Sequence, residues 1–341
     1  MLRKIYPFIL CVIAPRRMLR IPTILTADEL IDKAFKKASK VNIPPAKTKL
    51  DMIRQKNLAK IASVGDSISS TLEGYVKAFP DLERLPPFYR DLIDLLLDID
   101  QLKKSLGAID WCAHQVERIS RAARANVKRS KSLKEMDAVR EEAYGRCASL
   151  LRQVRKDLEF LGKARDKVKQ LPSIDPEMRT IVVAGAPNVG KSLLVSNLST
   201  AKPKVASYPF TTKEITVGIL ALGRKKYQII DTPGLLDRPV EEKNEIELQA
   251  IIALRNLSDL VLFVLDPTGT CGYTIEYQES LLQGIKKVYP DIKIITIENK
   301  ADFLRRENEN IKISALTKEG LDELKKKIER YLPSETESKS F

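Results

Sequence analysis

Histidine is almost missing from this sequence: His114 is the only one in 341 residues. That disfavours a histidine-based catalytic triad and a multi-histidine metal centre. Cysteine is nearly as scarce. Cys11, Cys112, Cys147 and Cys271 lie far apart and form no C-x-x-C pair, so neither a disulfide scaffold nor a zinc site is expected, and all four read as core filler. No run of about 20 apolar residues occurs, as a membrane span would need. The nearest candidate, residues 5–14, is short and contains Pro7. Arg3 and Lys4 ahead of it give the look of a weak signal peptide, but Arg16 and Arg17 follow in place of an A-x-A-like cleavage site. Met18 begins a more ordinary protein start. Residues 1–17 are therefore expected to be a disordered or non-native extension, and the chain to be a cytoplasmic monomer.

What is present is unevenly placed. The net charge is +14, yet residues 171–341 hold 24 basic and 24 acidic side chains, whereas residues 1–170 hold 35 and 21. Such asymmetry points to a neutral module joined to one that meets a polyanion.

The two halves also differ in period. Thr26-Ala27-Asp28-Glu29 is a capping-box pattern, followed by Leu30, Ile31, Ala34 and Phe35 at helical spacing. Pro44 and Pro45 end that segment. Helical patterns then run over 47–78, from Pro86-Pro87 through Leu102, over 108–127 and over 132–170. With no strand-like run among them, residues 18–172 read as a basic helical bundle. After Leu171-Pro172-Ser173, short β-branched runs alternate with helices. Strands are expected at 181–183, 215–222, 227–230, 260–265, 292–297 and 311–313. The alternation makes residues 173–333 an α/β domain, its mostly parallel sheet covered by helices on both faces. Residues 334–341 form a polar tail.

The chemistry lies at the strand ends. Gly185-Ala186-Pro187-Asn188-Val189-Gly190-Lys191-Ser192 fits G-x-x-x-x-G-K-[ST], follows a strand and opens a helix. Its glycines let backbone N–H groups curl around phosphate oxygens, and the helix N-terminus adds its dipole. Lys191 should reach the β- and γ-phosphates, and Ser192 should ligate Mg²⁺. Asp231-Thr232-Pro233-Gly234 follows the strand ending at Ile230. Asp231 is placed to hold Mg²⁺ through water, and the Gly234 N–H to meet the γ-phosphate and sense its loss. Asn299-Lys300-Ala301-Asp302 follows the next strand but one. A carboxylate there accepts two bonds from the guanine edge, donors that adenine lacks, so Asp302 selects GTP. Ser314-Ala315-Leu316 comes last, with the Ala315 N–H offered to the guanine carbonyl. Between the first two motifs lies Tyr208-Pro209-Phe210-Thr211-Thr212, one threonine of which should complete the Mg²⁺ shell. Four ordered motifs of this kind make a P-loop GTPase, with GTP as substrate, GDP as product and Mg²⁺ as cofactor.

These residues resemble the Obg-like branch of translation-factor-related GTPases. Tyr208 to Thr212 is similar to that branch's switch I signature, which implies that Thr212 and not Thr211 is the Mg²⁺ ligand. The run Asp231 to Leu236 is similar as well. Within the branch the chain resembles the Nog-type nucleolar GTP-binding proteins, which join an N-terminal helical bundle to the G domain. The segment Ile21 to Leu30 resembles how that family begins. Stopping soon after the G domain is the look of a short, archaeal-like member. The resemblance implies work in large ribosomal subunit assembly, docked on ribosomal RNA of the subunit or its precursor.

Leu235 stands where Ras-type switches carry the glutamine that orients the attacking water, so intrinsic hydrolysis should be slow. Rescue would come from a group supplied by the ribosomal particle or from K⁺. Asn188 resembles the K⁺-coordinating asparagine of related GTPases, against a plain loop-shaping role. Lys191, Thr212 and Gly234 are the expected catalytic set. The RNA contact is expected at Arg118, Arg121, Arg124, Lys128, Arg129, Lys131 and Lys134, a stretch with no acid in it whose first four members follow one side of a helix. Two other functions fit the motifs: a signalling or stress-response GTPase whose bundle binds a protein, and an RNA-binding placeholder with little need of hydrolysis. Trp111 and His114 read as bundle core or its margin.

Overall fold

A computed structural model describes residues 21–45, 48–172, 174–206, 208, 214–238 and 242–332. The expected extension 1–17, the tail 334–341 and the switch I residues Phe210, Thr211 and Thr212 lie outside the described residues. The chain divides into two compact units.

One unit comprises, of the described residues, 21–81 and 97–169. It is built from α1 (Ala27–Ser39), α2 (Lys49–Ala78), α4 (Ile99–Arg129), α5 (Leu133–Gln153) and α6 (Arg155–Lys169). Helix α1 starts as its sequence requires. Thr26 Oγ1 accepts the Glu29 N–H, and Glu29 returns a carboxylate oxygen to the Thr26 N–H at 2.8 Å. Helix α2 packs along α4, and α1, α5 and α6 close around them. Ile61, Ala123, Val127, Met136 and Ala143 form a buried cluster, with Leu58 and Ile119 against it. Cys112 and Cys147 are buried too, whereas Trp111 and His114 are exposed and not core.

The stretch expected as one helix over 132–170 is two. Val154 separates α5 from α6, its N–H bonded to the carbonyls of Leu150 and Arg152. No glycine or proline marks that break, so periodicity runs through it. Likewise, the helix expected to continue through Leu102 stops at Leu96. Asp98 then caps α4, its carboxylate accepting the Gln101 N–H at 2.9 Å.

The other unit holds residues 82–96 together with 170 onward. Its sheet has the order β2-β3-β4-β1-β5-β6-β7: β2 (Lys204–Ala206), β3 (Ile215–Leu222), β4 (Lys225–Asp231), β1 (Thr180–Ala184), β5 (Ser258–Leu265), β6 (Lys293–Glu298) and β7 (Ile311–Lys312). Strands β4, β1, β5, β6 and β7 run parallel, and β2 and β3 are antiparallel additions at one edge. All five residues of β1 are buried, as a central parallel strand covered on both faces requires. The remaining helices are α7 (Lys191–Leu198), α8 (Glu245–Leu257), α9 (Ile275–Val288) and α10 (Leu321–Tyr331). Strand β2, three residues long, is not evident in the sequence pattern.

Within residues 18–172, read as one bundle, α3 (Pro87–Leu96) groups with the sheet-containing unit. Phe88, Tyr89, Leu92 and Ile93 are buried, and the helix packs on α8. Tyr89 Oη donates to Ile174 O at 2.6 Å and accepts the Ile174 N–H at 3.0 Å. Asn256 Nδ2 donates to Asp91 at 2.9 Å. An amphipathic period shows which face of a helix is apolar but not which surface covers it.

Candidate functional site

The order of the sheet fixes where a ligand can sit. β1 is flanked by β4 on one side and β5 on the other, so the connections leaving its carboxyl end diverge there. Such a switch point opens a crevice beyond the strand ends. Residues 185–192 run from β1 into α7 across that crevice.

Two glycines are obligatory in this loop. Gly185 has φ 140°, and a Cβ there would lie 2.4 Å from Val264 O. Gly190 has φ 100°, and a Cβ there would lie 2.3 Å from Asn299 Nδ2. Asn188 is left-handed at φ 60°, a conformation asparagine tolerates. Lys191 is buried, its Nζ donating to Gly185 O at 2.8 Å and Ala186 O at 2.7 Å. Pro187, Asn188, Gly190, Lys191, Ser192 and Asp237 line a cavity of 380 Å³ at the start of α7.

Ser192 Oγ donates to Asp231 Oδ2 at 2.5 Å. The other oxygen, Asp231 Oδ1, is buried without a hydrogen-bond partner. Burial pushes the Asp231 carboxyl above its ordinary value, against the opposing pull of Ser192 and Lys191. A hydroxyl beside a buried anionic oxygen that lacks a protein donor is a fitting set for a hard, oxygen-seeking cation such as Mg²⁺. Thr212, the third expected ligand, falls outside the described residues.

Gly234 has φ 85° and donates its N–H to Asp237 Oδ2 at 2.8 Å. Asp237 is only 6% exposed. Lys243, also buried, reaches Gly234 O at 3.5 Å, and burial lowers its ammonium below the usual lysine range. Leu235 is fully buried, so it presents nothing to a water in the crevice. Asp237 is the residue that sequence motifs alone do not single out. Its signal is an acid three positions after Gly234, close enough to turn back on that glycine.

A second cavity, of 400 Å³, is lined by Leu193, Asn299, Lys300, Asp302, Ala315 and Leu316, with Gly190 and Ser314 beside them. The expected base-binding residues thus share one wall. Asn299 is the hub: its Nδ2 donates to Val189 O and its Oδ1 accepts the Ala315 N–H, each at 2.8 Å. The Ala315 N–H, expected to meet the guanine carbonyl, is thus bonded to Asn299 here. Asp302 is exposed at the mouth.

Lys300 is fixed by a residue the motif did not include. Its Nζ donates to Asp266 Oδ2 and to Thr270 Oγ1, each at 2.6 Å. Burial raises the Asp266 carboxyl, but the bonds from Lys300 and Thr268 outweigh it and hold the group below its ordinary value. Asp266 follows β5 directly, the position where these folds carry ligand chemistry.

In the helical unit, Arg118, Arg121, Lys128, Arg129, Lys131 and Lys134 are exposed and Arg124 is half-buried. Arg121 pairs with Glu117 at 2.8 Å. Arg124 Nε is buried without a hydrogen-bond partner. Beside them runs a 760 Å³ groove lined by Ile43, Leu58, Ala62, Arg121, Arg124 and Lys128. No helix among the described residues is long and apolar enough to cross a membrane.

Comparison with known proteins adds to this geometry. Residues 19–175 match the family model described as the NOG1 N-terminal helical domain, and residues 180–300 the one described as 50S ribosome-binding GTPase. An uncharacterised protein of Methanocaldococcus jannaschii is 37% identical over 291 residues, covering 84% of this chain and 81% of its own length. Nucleolar GTP-binding protein 1 of Saccharomyces cerevisiae is 35% identical over 84% of this chain and 45% of itself. Its Arabidopsis thaliana namesake is 36% identical over 76% of this chain and 39% of itself. The chain thus spans less than half the length of these two relatives.

Proposed function

The chain belongs to the nucleolar GTP-binding protein 1 family, and on that premise we propose that it binds and hydrolyses GTP as a switch in large ribosomal subunit assembly. The observation that carries the nucleotide half is Asp231. A buried carboxylate oxygen without a protein donor, beside the Ser192 hydroxyl and at the foot of a strained glycine loop, is costly unless a ligand offsets it.

Lys191 exchanges its loop carbonyls for the β- and γ-phosphate oxygens. Ser192, Asp231 and, on the sequence reading, Thr212 would hold Mg²⁺, and the ion would neutralise charge on the phosphates. Asp302 takes the guanine edge while Asn299 ties the P-loop to the base-binding loop. Loss of the γ-phosphate would release the Gly234 N–H, and the loop that carries it could relax. Leu235 makes the unaided reaction slow. Asn188 lines the phosphate cavity, and our reading gives it K⁺ as a ligand, so hydrolysis should run faster in KCl than in NaCl.

The partner is ribosomal RNA, and the support is the acid-free stretch from Arg118 to Lys134 with the groove beside it. Arg121, Arg124 and Lys128 line that groove, and guanidinium and ammonium groups suit phosphate oxygens. The family description of residues 180–300 as a ribosome-binding GTPase points the same way.

The test is co-sedimentation with purified large subunits in GDP and in a non-hydrolysable GTP analogue. The wild-type chain should bind in a nucleotide-dependent manner. Neutralising Arg118, Arg121, Arg124 and Lys128 together should lower the salt slope of binding by roughly 0.9 for each phosphate no longer neutralised. Binding that ignores the four substitutions would move the search to a protein partner. Binding indifferent to nucleotide would leave a placeholder role.

A further inference from the structure

We infer that Asp237 sets the preference between GTP and GDP: its carboxylate holds the Gly234 N–H that a γ-phosphate needs, so GTP enters only by displacing it. The inference rests on the reading of Gly234 as the γ-phosphate sensor.

A backbone N–H has one hydrogen to give. Here Gly234 gives it to Asp237 Oδ2 at 2.8 Å, a good bond to a charged acceptor. Asp237 is nearly buried and lines the same cavity as Lys191 and Ser192. Its carboxylate therefore sits among the groups expected to meet the terminal phosphate, with the geometry and charge of one of that phosphate's own oxygens. The two anions cannot share the N–H, and at that range they repel. GDP ends one phosphate earlier and makes no demand on Gly234. The carboxylate thus selectively opposes the triphosphate.

The surroundings favour an exchange of partners over a loose loop. Leu235 and Leu236 are buried immediately after Gly234, and Leu236 O accepts the Gly185 N–H at 3.2 Å. The backbone that follows Gly234 is therefore anchored to the P-loop. The part able to move is the Asp237 side chain, and Lys243 lies close enough to attract it.

The experiment measures equilibrium affinity of the full chain for fluorescent GDP and for a fluorescent non-hydrolysable GTP analogue, both with Mg²⁺ at fixed salt. The proteins are wild type, Asp237→Ala and Asp237→Asn, each checked for an unchanged far-UV spectrum. A bond to a charged group outweighs a neutral one, so Asp237→Ala should tighten the analogue by about tenfold. GDP, which does not use Gly234, should tighten clearly less than the analogue. Asp237→Asn keeps an acceptor without the charge and should fall between.

Analogue affinity unchanged or weaker in both variants overturns the inference and leaves the GTPase reading standing. Equal tightening of GDP and analogue also overturns it, because the carboxylate would then act as general repulsion. Failure of the wild type to bind either nucleotide overturns both readings together.

Discussion

The two units carry their chemistry in opposite ways. In the sheet-containing unit most of the functional groups are buried and few: Lys191, Asp231, Asp237, Asp266 and Asn299 all lie under the surface, with Asp302 exposed at the mouth. In the helical unit the residues of interest are exposed cations spread along one helix and its C-terminal end, with only Arg124 drawn inward. A phosphate ester with a guanine base has one shape, so its site can be preorganised around it. A long polyanion is met through summed charge, and no single side chain has to be placed to within a fraction of an ångström.

The largest separation of the units should come from Lys191→Ala. Removing one phosphate-stabilising donor typically costs about 10²–10³ in turnover. The proposed RNA binding by the helical unit should persist and lose only its dependence on nucleotide, a pattern that filter binding beside a phosphate-release assay would show. Equal loss of both would mean the units do not divide the work.

Next in size is a test of which unit owns α3. Leu92 is fully buried on that helix. Leu92→Ala should cost about 2–5 kcal/mol, the usual range for a core leucine. In calorimetry the loss should fall on the transition that nucleotide stabilises. A shift confined to the other transition would return α3 to the bundle. Tyr89→Phe is the milder version. It removes the bonds to Ile174 and should lower the same transition by roughly 1 kcal/mol per bond.

The contrast also explains what the sequence could and could not convey. Gly185 and Gly190 were legible because only glycine meets the backbone angles and the close approach of Val264 and Asn299. Strand β5 was legible as an unbroken apolar run and β6 as an isoleucine-rich run interrupted by Lys293 and Thr296. The ownership of α3 was not, since Phe88, Leu92 and Ile93 would suit either an all-helical core or the surface of α8. The break at Val154 was invisible because its cause is packing and not a helix-breaking residue. Asp266 and Asp237 escaped for a different reason. Each acts through a partner already in a motif, Lys300 or Gly234, and a motif shows its own members but not the side chains that hold them.

The smallest expected effect concerns Asp231, and its sign separates a structural carboxylate from a functional one. Burial raises its pKa in the folded chain above the unfolded value. For a carboxyl with that direction of shift, the stabilising contribution is complete below the unfolded pKa. It is lost as pH rises through the folded pKa. At neutral pH the ionised group therefore costs stability in the absence of Mg²⁺. Asp231→Asn should remove that cost and raise the melting temperature of the metal-free chain slightly, by about a few degrees at most. In the wild type, Mg²⁺ requires the ionised form, so nucleotide binding supported by Mg²⁺ should weaken as pH falls through the raised carboxyl pKa. The substituted chain should bind nucleotide poorly at every pH and show no such dependence. A metal-free melting temperature that falls on substitution would make Asp231 a structural anchor for Ser192. The same residue type at Asp98, an exposed helix cap, has its carboxylate occupied by the Gln101 N–H and serves only the helix it begins.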